Sequence, residues 1–442
     1  MDNLNRRQQS SVLFGDKLQH RVPQITPDTP YFSLSGIDKN NHFSQIYFDE
    51  KLLSKHIMLL GGIGTGKTNT LLQLTSRIYS TFSPSDVMVI FDTKGDFYKE
   101  FYTLGDVVIS NDITATGSAG VDYWNIFEEL GSDDHLLESA IEISKSIFAE
   151  ACKKTNQIFF PNAARDIFMA LLVHMVRNLP KEKCTNANLL AIINGSSVDD
   201  LRKILCSHPE FRAMTSYIAI NDSPQTQGVL SELQQVTREI FVGNFNKHGD
   251  LGLRSLIRNK GGKKIFIEYD LSVGSMLSPI YSLMFDLAIK EALGRGRSEG
   301  NVYFITDEFK LLPYLNHIDD AVNFGRSLGI KFIIGIQNVE QIYGNYGEER
   351  ARSMMSGFST NISFRVNDAK SREYIQGLYG KNQKLESYLP TNQKNGIAEN
   401  QREANVVEDW DISNLKIGEA IIGLPGYEPF IFKFNKYDSN GV

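Results

Sequence analysis

Residues 56–74, HIMLLGGIGTGKTNTLLQL, constrain this chain more than any other stretch. An apolar run ends in glycines; a lysine and a threonine follow, then a second apolar run. Gly61, Gly66, Lys67 and Thr68 satisfy G-x-x-x-x-G-K-[ST], the phosphate-binding loop. The flanking runs read as a strand and then a helix, the setting this loop requires. Its glycines let backbone N–H groups turn toward phosphate oxygens, and the helix behind them aims its positive end at the anion. The alternative is a glycine-rich turn with an incidental lysine. The nucleotide reading names Gly61, Gly62, Ile63, Gly64, Thr65, Gly66, Lys67, Thr68 and Asn69 as the binding stretch. Lys67 would reach the β- and γ-phosphates and Thr68 would offer its hydroxyl to magnesium. ATP and Mg2+ are the expected ligands.

A phosphate-binding loop needs an acidic partner at the end of a neighbouring strand. VYFITDEF supplies it. Asp307 would hold magnesium through water, and Glu308 would orient and deprotonate the attacking water. The paired carboxylates favour hydrolysis over simple nucleotide binding. Gln337 ends the apolar run KFIIGIQ, where a polar group can sense the γ-phosphate or merely terminate the strand. Arg326, in FGRSLG, could reach a neighbouring subunit's nucleotide as an arginine finger or form a surface salt bridge. Arg365, in SFRVND, is a weaker candidate of the same kind. The expected catalytic set is Lys67, Glu308, Gln337 and Arg326, with Thr68 and Asp307 at the metal.

The rest of the chain is organised around these motifs. Its 442 residues exceed one core at about 150 residues per domain. Residues 1–34 are polar, carry Pro23, Pro27 and Pro30, and read as an extended arm. Residues 35–124 hold the phosphate loop, the strand–turn–helix DVMVIFDTKGDFYKEF and a further strand, LGDVVIS. From 125 to 250 apolar residues recur at three- and four-residue intervals, as in helices. Ser132 or Asp133 is a candidate cap for the first of them, and Ser223 caps a later one before Pro224. Strands return over 251–442, alternating with helices. That alternation predicts an α/β fold with a mostly parallel sheet covered on both faces, interrupted by an inserted all-α domain. Residues 381–405 are polar and read as a mobile loop.

Composition excludes some classes. A net charge of −6 argues against a uniformly basic chain, although a local basic channel is compatible with it. Cys152, Cys184 and Cys206 are far apart and odd in number, which suits free thiols in a reducing compartment. No apolar stretch approaches the ~18–20 residues that span a bilayer, and the N-terminus lacks a signal-peptide core. A cytoplasmic chain, or one peripheral at the inner face of the cell membrane through a partner, is expected.

Taken in order, GGIGTGKT, VIFDTKGDFY, DYWNIFEEL, NAARDIFMALL, ITDEFKLLP, GRSLGIKFIIGIQNVEQIYGNYG and NISFRVNDAKSREYIQGLYG form a pattern. It resembles the TraD/TraG-like coupling-protein ATPases of type IV secretion and conjugation, within the HerA–FtsK class of ring translocases, over roughly residues 35–435. The resemblance implies a RecA-like P-loop core around an all-helical insert, assembly as a homo-hexamer, and ATP hydrolysis at subunit boundaries. It implies movement of DNA, usually single-stranded, or of protein toward a secretion channel. It gives Gln337 the γ-phosphate-sensing role and Arg326 the trans-acting one. Such proteins usually begin with transmembrane helices, and none is legible here. Docking on a separate membrane or secretion-complex protein is therefore expected, or else work in a defence or mobile-element complex.

Basic runs at 251–264 and Lys153–Lys154 are candidates for a phosphate-backbone contact. Asp92, in DTKGD, sits either near the nucleotide or simply in a tight turn at Gly95. Two other readings of the chain compete with the motor: an adaptor that uses ATP to assemble and recruit protein partners, and a metabolic kinase. The Asp307–Glu308 pair disfavours the first, and the absence of an obvious acceptor lid disfavours the second.

Overall fold

The computed structural model describes residues 9–24, 29–111, 121–294, 300–388 and 398–439. Its strands are β1 (Gln9–Phe14), β2 (Phe32–Asp38), β3 (Phe43–Phe48), β4 (Ile57–Leu60), β5 (Val87–Asp92), β6 (Val107–Ser110) and β7 (Lys263–Glu268). They continue with β8 (Val302–Thr306), β9 (Ile330–Ile336), β10 (Thr360–Ser363), β11 (Lys381–Tyr388), β12 (Ala398–Asn405), β13 (Glu419–Gly423) and β14 (Phe430–Phe434). The chain forms two compact units. One comprises Met1–Phe82, Asp307–Phe309 and Lys331–Val442; the other comprises Ser83–Thr306 and Lys310–Ile330.

In the first unit the strand order is β3-β2-β14-β13-β10-β4-β9. β4 is parallel to both β10 and β9, and β13, β14, β2 and β3 extend the sheet antiparallel. Every residue of β4, β9 and β10 is buried, so these strands are covered on both faces; β4 is an unbroken apolar run, whereas β9 buries Lys331 and β10 buries Thr360, Asn361 and Ser363. β2 alternates buried and half-buried positions, as a strand with one wetter face does. In the second unit β8-β5-β7-β6 are all parallel. The α/β fold class with mostly parallel core strands and a helical block is the one observed.

Among the described residues no strand lies between β6 and β7; helices fill the interval. Phe159–Asn178 is the central one and packs against Leu136–Ile147 and Pro224–Ile240. By length and composition this helix could cross a membrane, yet 61% of its apolar window is buried, as in the core helix of a bundle. Arg165 and Asp166 interrupt its apolar run and pair with each other at its half-buried edge.

Ser223 caps Pro224–Ile240 as expected, its side chain accepting from Thr226 N. The expected cap at Ser132 or Asp133 is not realised. A short 3-10 turn, Asp133–His135, intervenes, and Leu136–Ile147 starts with no side-chain cap. Ser139 Oγ instead takes the Gly131 N–H at 2.8 Å and donates to His135 O at 2.6 Å, tying down the turn from inside the helix.

The expected mobile loop at 381–405 is largely a hairpin. β11 and β12 pair antiparallel along their whole length, and β1, from the expected arm, adds on the other side of β11. Cross-strand ion pairs Lys381–Glu403 and Arg402–Glu386 fasten the hairpin. With few apolar residues on either face, these strands lack the period-2 alternation that marks a half-buried strand. Residues 389–397 of that loop, and residues 1–8 and Pro27 of the arm, lie outside the described residues.

Candidate functional site

The phosphate loop joins β4 to the helix Lys67–Ser80. Gly61 N donates to Ile336 O at 3.1 Å and Gly62 N to Arg365 O at 2.9 Å, so the ends of β9 and β10 flank the loop. Thr65 Oγ1 closes it internally on Gly62 O at 2.8 Å. Gly66 holds φ +120°, a value that side-chain-bearing residues rarely adopt. A Cβ on Gly61 would lie 2.6 Å from Phe364 Cβ, so the cradle tolerates no bulk there. Ile63, at the tip, is 84% exposed.

The helix begins with no side-chain cap and no acid in its first turn. Its leading N–H groups and positive dipole end are thus left for an anion. Lys67 is buried, and its Nζ donates to Gly61 O and, at 3.0 Å, to Gly62 O, which folds the ammonium over the loop. Thr68 Oγ1 stands 3.5 Å from Asp307 Oδ2. Two oxygens on one Mg2+ at ~2.1 Å each are at most about 4 Å apart, so this pair can share the ion. Glu308 Oε2 accepts from Gln337 Nε2. A nucleotide triphosphate with Mg2+ therefore fits the residues present: N–H groups and an ammonium for the phosphates, a hydroxyl and a carboxylate for the metal.

The structure thus gathers Gly61–Asn69, Asp307, Glu308 and Gln337 in one unit. Gln337 is not merely a strand terminator, because its amide engages Glu308. Arg326 belongs to the other unit, exposed on the short 3-10 turn Gly325–Leu328 that Gly329 closes with φ +81°. Arg365 touches the loop through its carbonyl and keeps an exposed side chain.

Asp92 resolves as a turn builder. Its Oδ1 accepts from Lys94 N and Gly95 N at 3.1 and 2.9 Å, and its Oδ2 from Phe97 N and Tyr98 N at 2.9 and 3.0 Å. Glu268, its register partner on β7, is buried. Burial first, and the neighbouring Asp92 charge second, push the Glu268 carboxyl up to about 8, with Lys99 opposing.

The basic runs are largely engaged in internal pairs. Arg254 and Arg258 meet Glu291, Lys264 is buried on Asp106 at 3.1 Å, Lys154 meets Glu150, and Lys153 lies over the Tyr314 ring. The three cysteines are free thiols.

Some contacts escaped the sequence reading. Gly418 N donates to Thr65 O at 2.9 Å, and a Cβ on Gly66 would come within 3.2 Å of Gly418 Cα. Asn69 and Gln73 bind the tail at Asn435 and Tyr437. These partners lie some 350 residues along the chain from the loop, and no local motif announces them.

Residues 40–431 match the family model for the type IV secretion-system coupling protein DNA-binding domain. The chain belongs to this coupling-protein family. Coupling protein TraD of Escherichia coli K12 is 23% identical over 401 residues, covering 87% of this chain and 53% of TraD. VirD4 of Bartonella quintana, a type IV secretion-system coupling protein, is 23% identical over 289 residues, covering 61% of this chain and 45% of VirD4. The chain therefore spans about half the length of the curated relatives it matches. Among solved structures, the conjugative coupling protein TrwB lacking its N-terminal segment superposes with a TM-score of 0.76 at 19% identity, covering 99% of this chain and 96% of that one. TrwB in complex with ADP and Mg2+ gives 0.70 at 19% identity, covering 89% and 88%. This coupling-protein chain thus shares the TrwB fold.

Proposed function

We propose that this chain is an ATP-hydrolysing motor that binds and translocates DNA, in the manner of coupling proteins of conjugation and type IV secretion. The observation that carries the reading is the cluster in which Lys67 folds over the loop, Thr68 faces Asp307 and Gln337 holds Glu308. A scaffold that only binds nucleotide has no use for a positioned second carboxylate. The family match and the binding of ADP, Mg2+ and a non-hydrolysable ATP analogue by TrwB support ATP as the fuel.

In this reading the loop N–H groups and Lys67 bind the β- and γ-phosphates. Thr68 and Asp307 hold Mg2+, which neutralises charge on the phosphate oxygens. Glu308, oriented by Gln337, takes the proton of the attacking water. Arg326 acts in trans across a boundary of a homo-hexamer, a role its exposure suits. Residues 35–124 and 251–442 are assigned to the RecA-like core and 125–250 to its insert. The substrate is single-stranded DNA, and a separate membrane or secretion-complex protein recruits this cytoplasmic motor.

Turnover measured with and without single-stranded DNA tests the proposal. DNA should raise the rate, and Lys67→Ala or Glu308→Gln should abolish it by at least about 10²-fold. Turnover and oligomeric state that ignore DNA of every form, at every salt concentration, would remove the nucleic-acid part. A dead mixture of co-assembled Glu308→Gln and Arg326→Ala subunits would remove the trans role of Arg326.

A further inference from the structure

The helix behind the phosphate loop carries a second feature. Asn69, Gln73 and Arg77 recur every four residues and so share one face. The C-terminal tail runs along that face. Asn69 Nδ2 and Gln73 Nε2 both donate to Asn435 O, at 2.9 and 2.7 Å, and Asn69 Oδ1 accepts from Tyr437 N at 2.7 Å. The same segment is anchored to the loop itself. Phe434 N donates to Gly418 O at 3.0 Å, and Gly418 N donates to Thr65 O. The end of β14, the turn before β13, the loop and the helix face thus form one continuous collar.

Where tail and helix diverge, a cavity of about 170 Å3 remains, walled by Leu34 of β2, Gln73, Arg77 and Tyr437 among others. A site for a whole ligand occupies about 300 Å3 or more, so this one has room for one end of a ligand anchored elsewhere. Gln73 lies six residues past Lys67, about 9 Å along the helix axis at 1.5 Å per residue. A ligand gripped by its phosphates at Lys67 and laid along this face would bring its other end here. The lining suits an aromatic heterocycle. Tyr437 and Arg77 offer planar faces for stacking, and the Gln73 carbonyl, not used in holding the tail, offers an acceptor.

We propose that this cavity receives the base of the nucleoside triphosphate, which makes the C-terminal tail a wall of the nucleotide site. The inference rests on the nucleotide reading of the phosphate loop. It predicts that the tail discriminates between a nucleotide and bare phosphate.

The experiment titrates the full chain with Mg–ATP and, separately, with Mg–tripolyphosphate, which has the phosphates and no base. Tyr437→Ala should weaken ATP about tenfold, within the range for losing one stacked aromatic face, and leave tripolyphosphate within about twofold of wild type. Tyr437→Phe, which keeps the ring, should restore ATP affinity. Lys67→Ala should lose both ligands. Equal weakening of the two ligands by Tyr437→Ala, or no weakening of either, overturns the assignment. So does a wild-type chain that binds ATP no more tightly than tripolyphosphate. A wild-type chain that binds neither ligand takes down the nucleotide reading itself.

Discussion

Gly335, on β9, offers a sharp test of the catalytic geometry. A Cβ there would lie 2.5 Å from Asp307 O, where ordinary contact begins at 3.4 Å. The obstacle is backbone, with no flexible side chain to swing away. Gly335→Ala must therefore push the Asp307 segment aside by about 0.9 Å, the difference between those two distances. Asp307 is the residue facing Thr68, and Glu308 follows it directly. A displacement of about 1 Å at a reacting centre costs about 10²-fold in rate. The expected outcome is kcat for ATP hydrolysis down about 10²-fold, with a raised Mg2+ requirement and affinity for Mg2+-free nucleotide close to wild type, since Lys67 and the loop are not touched. Gly344→Ala is the control: nothing lies within 4 Å of the added methyl, and its activity should match wild type. A folded Gly335→Ala enzyme that turns over at the wild-type rate would refute the claim that these carboxylates act from this position.

The remaining tests address neighbouring groups. Gln337→Ala should lower kcat about 10²-fold with little change in KM for ATP, because it frees Glu308 without touching the phosphate cradle; a raised KM at unchanged kcat would make Gln337 a binding residue instead. Glu268 makes stability pH-dependent. Its carboxyl titrates at about 8 in the fold against an ordinary 4.5, so the folded chain keeps a proton that the unfolded chain releases. That contribution is complete below pH 4.5 and declines by about 1.4 kcal/mol per pH unit up to about pH 8. Relative to wild type, Glu268→Gln should gain about 2 kcal/mol between pH 6 and 8, read from urea unfolding followed by the buried Trp124 in the same unit; parallel pH profiles would show that Glu268 is ionised in the fold.

The legibility of this chain divides along a physical line. Features fixed by a few adjacent residues were readable. GGIGTGKT dictates its turn, and VYFITDEF and KFIIGIQ end buried parallel strands on polar groups, so the candidate site residues could be named in advance. Asp92 shows the limit of that approach. Its position at a strand end matched a nucleotide contact and a turn builder equally well, and only its four N–H partners decide for the turn. β11 and β12 were missed for a related reason. Hydrophobic periodicity reports strands that bury a face, whereas these are held by backbone pairing and cross-strand ion pairs such as Arg402–Glu386. The basic runs show a different limit, since counting lysines and arginines does not reveal that Arg254, Arg258 and Lys264 face Glu291 and Asp106.

The C-terminal collar is the most consequential omission, because it bears on how the site works. In sequence, the loop looks self-sufficient. In the fold, Thr65 and Gly66 lean on Gly418, and Asn69 and Gln73 hold Asn435 and Tyr437. Asn69 was expected at the nucleotide, and both ends of its amide are committed to the tail. Each end of that amide keeps a second hydrogen-bonding position, so the tail contacts orient it without using it up. Through those contacts Asn69 also supports the wall formed by the tail. Loss of the Asn69 side chain should act on the same ligand end as loss of Tyr437, the base and not the phosphates, although the two residues share no motif.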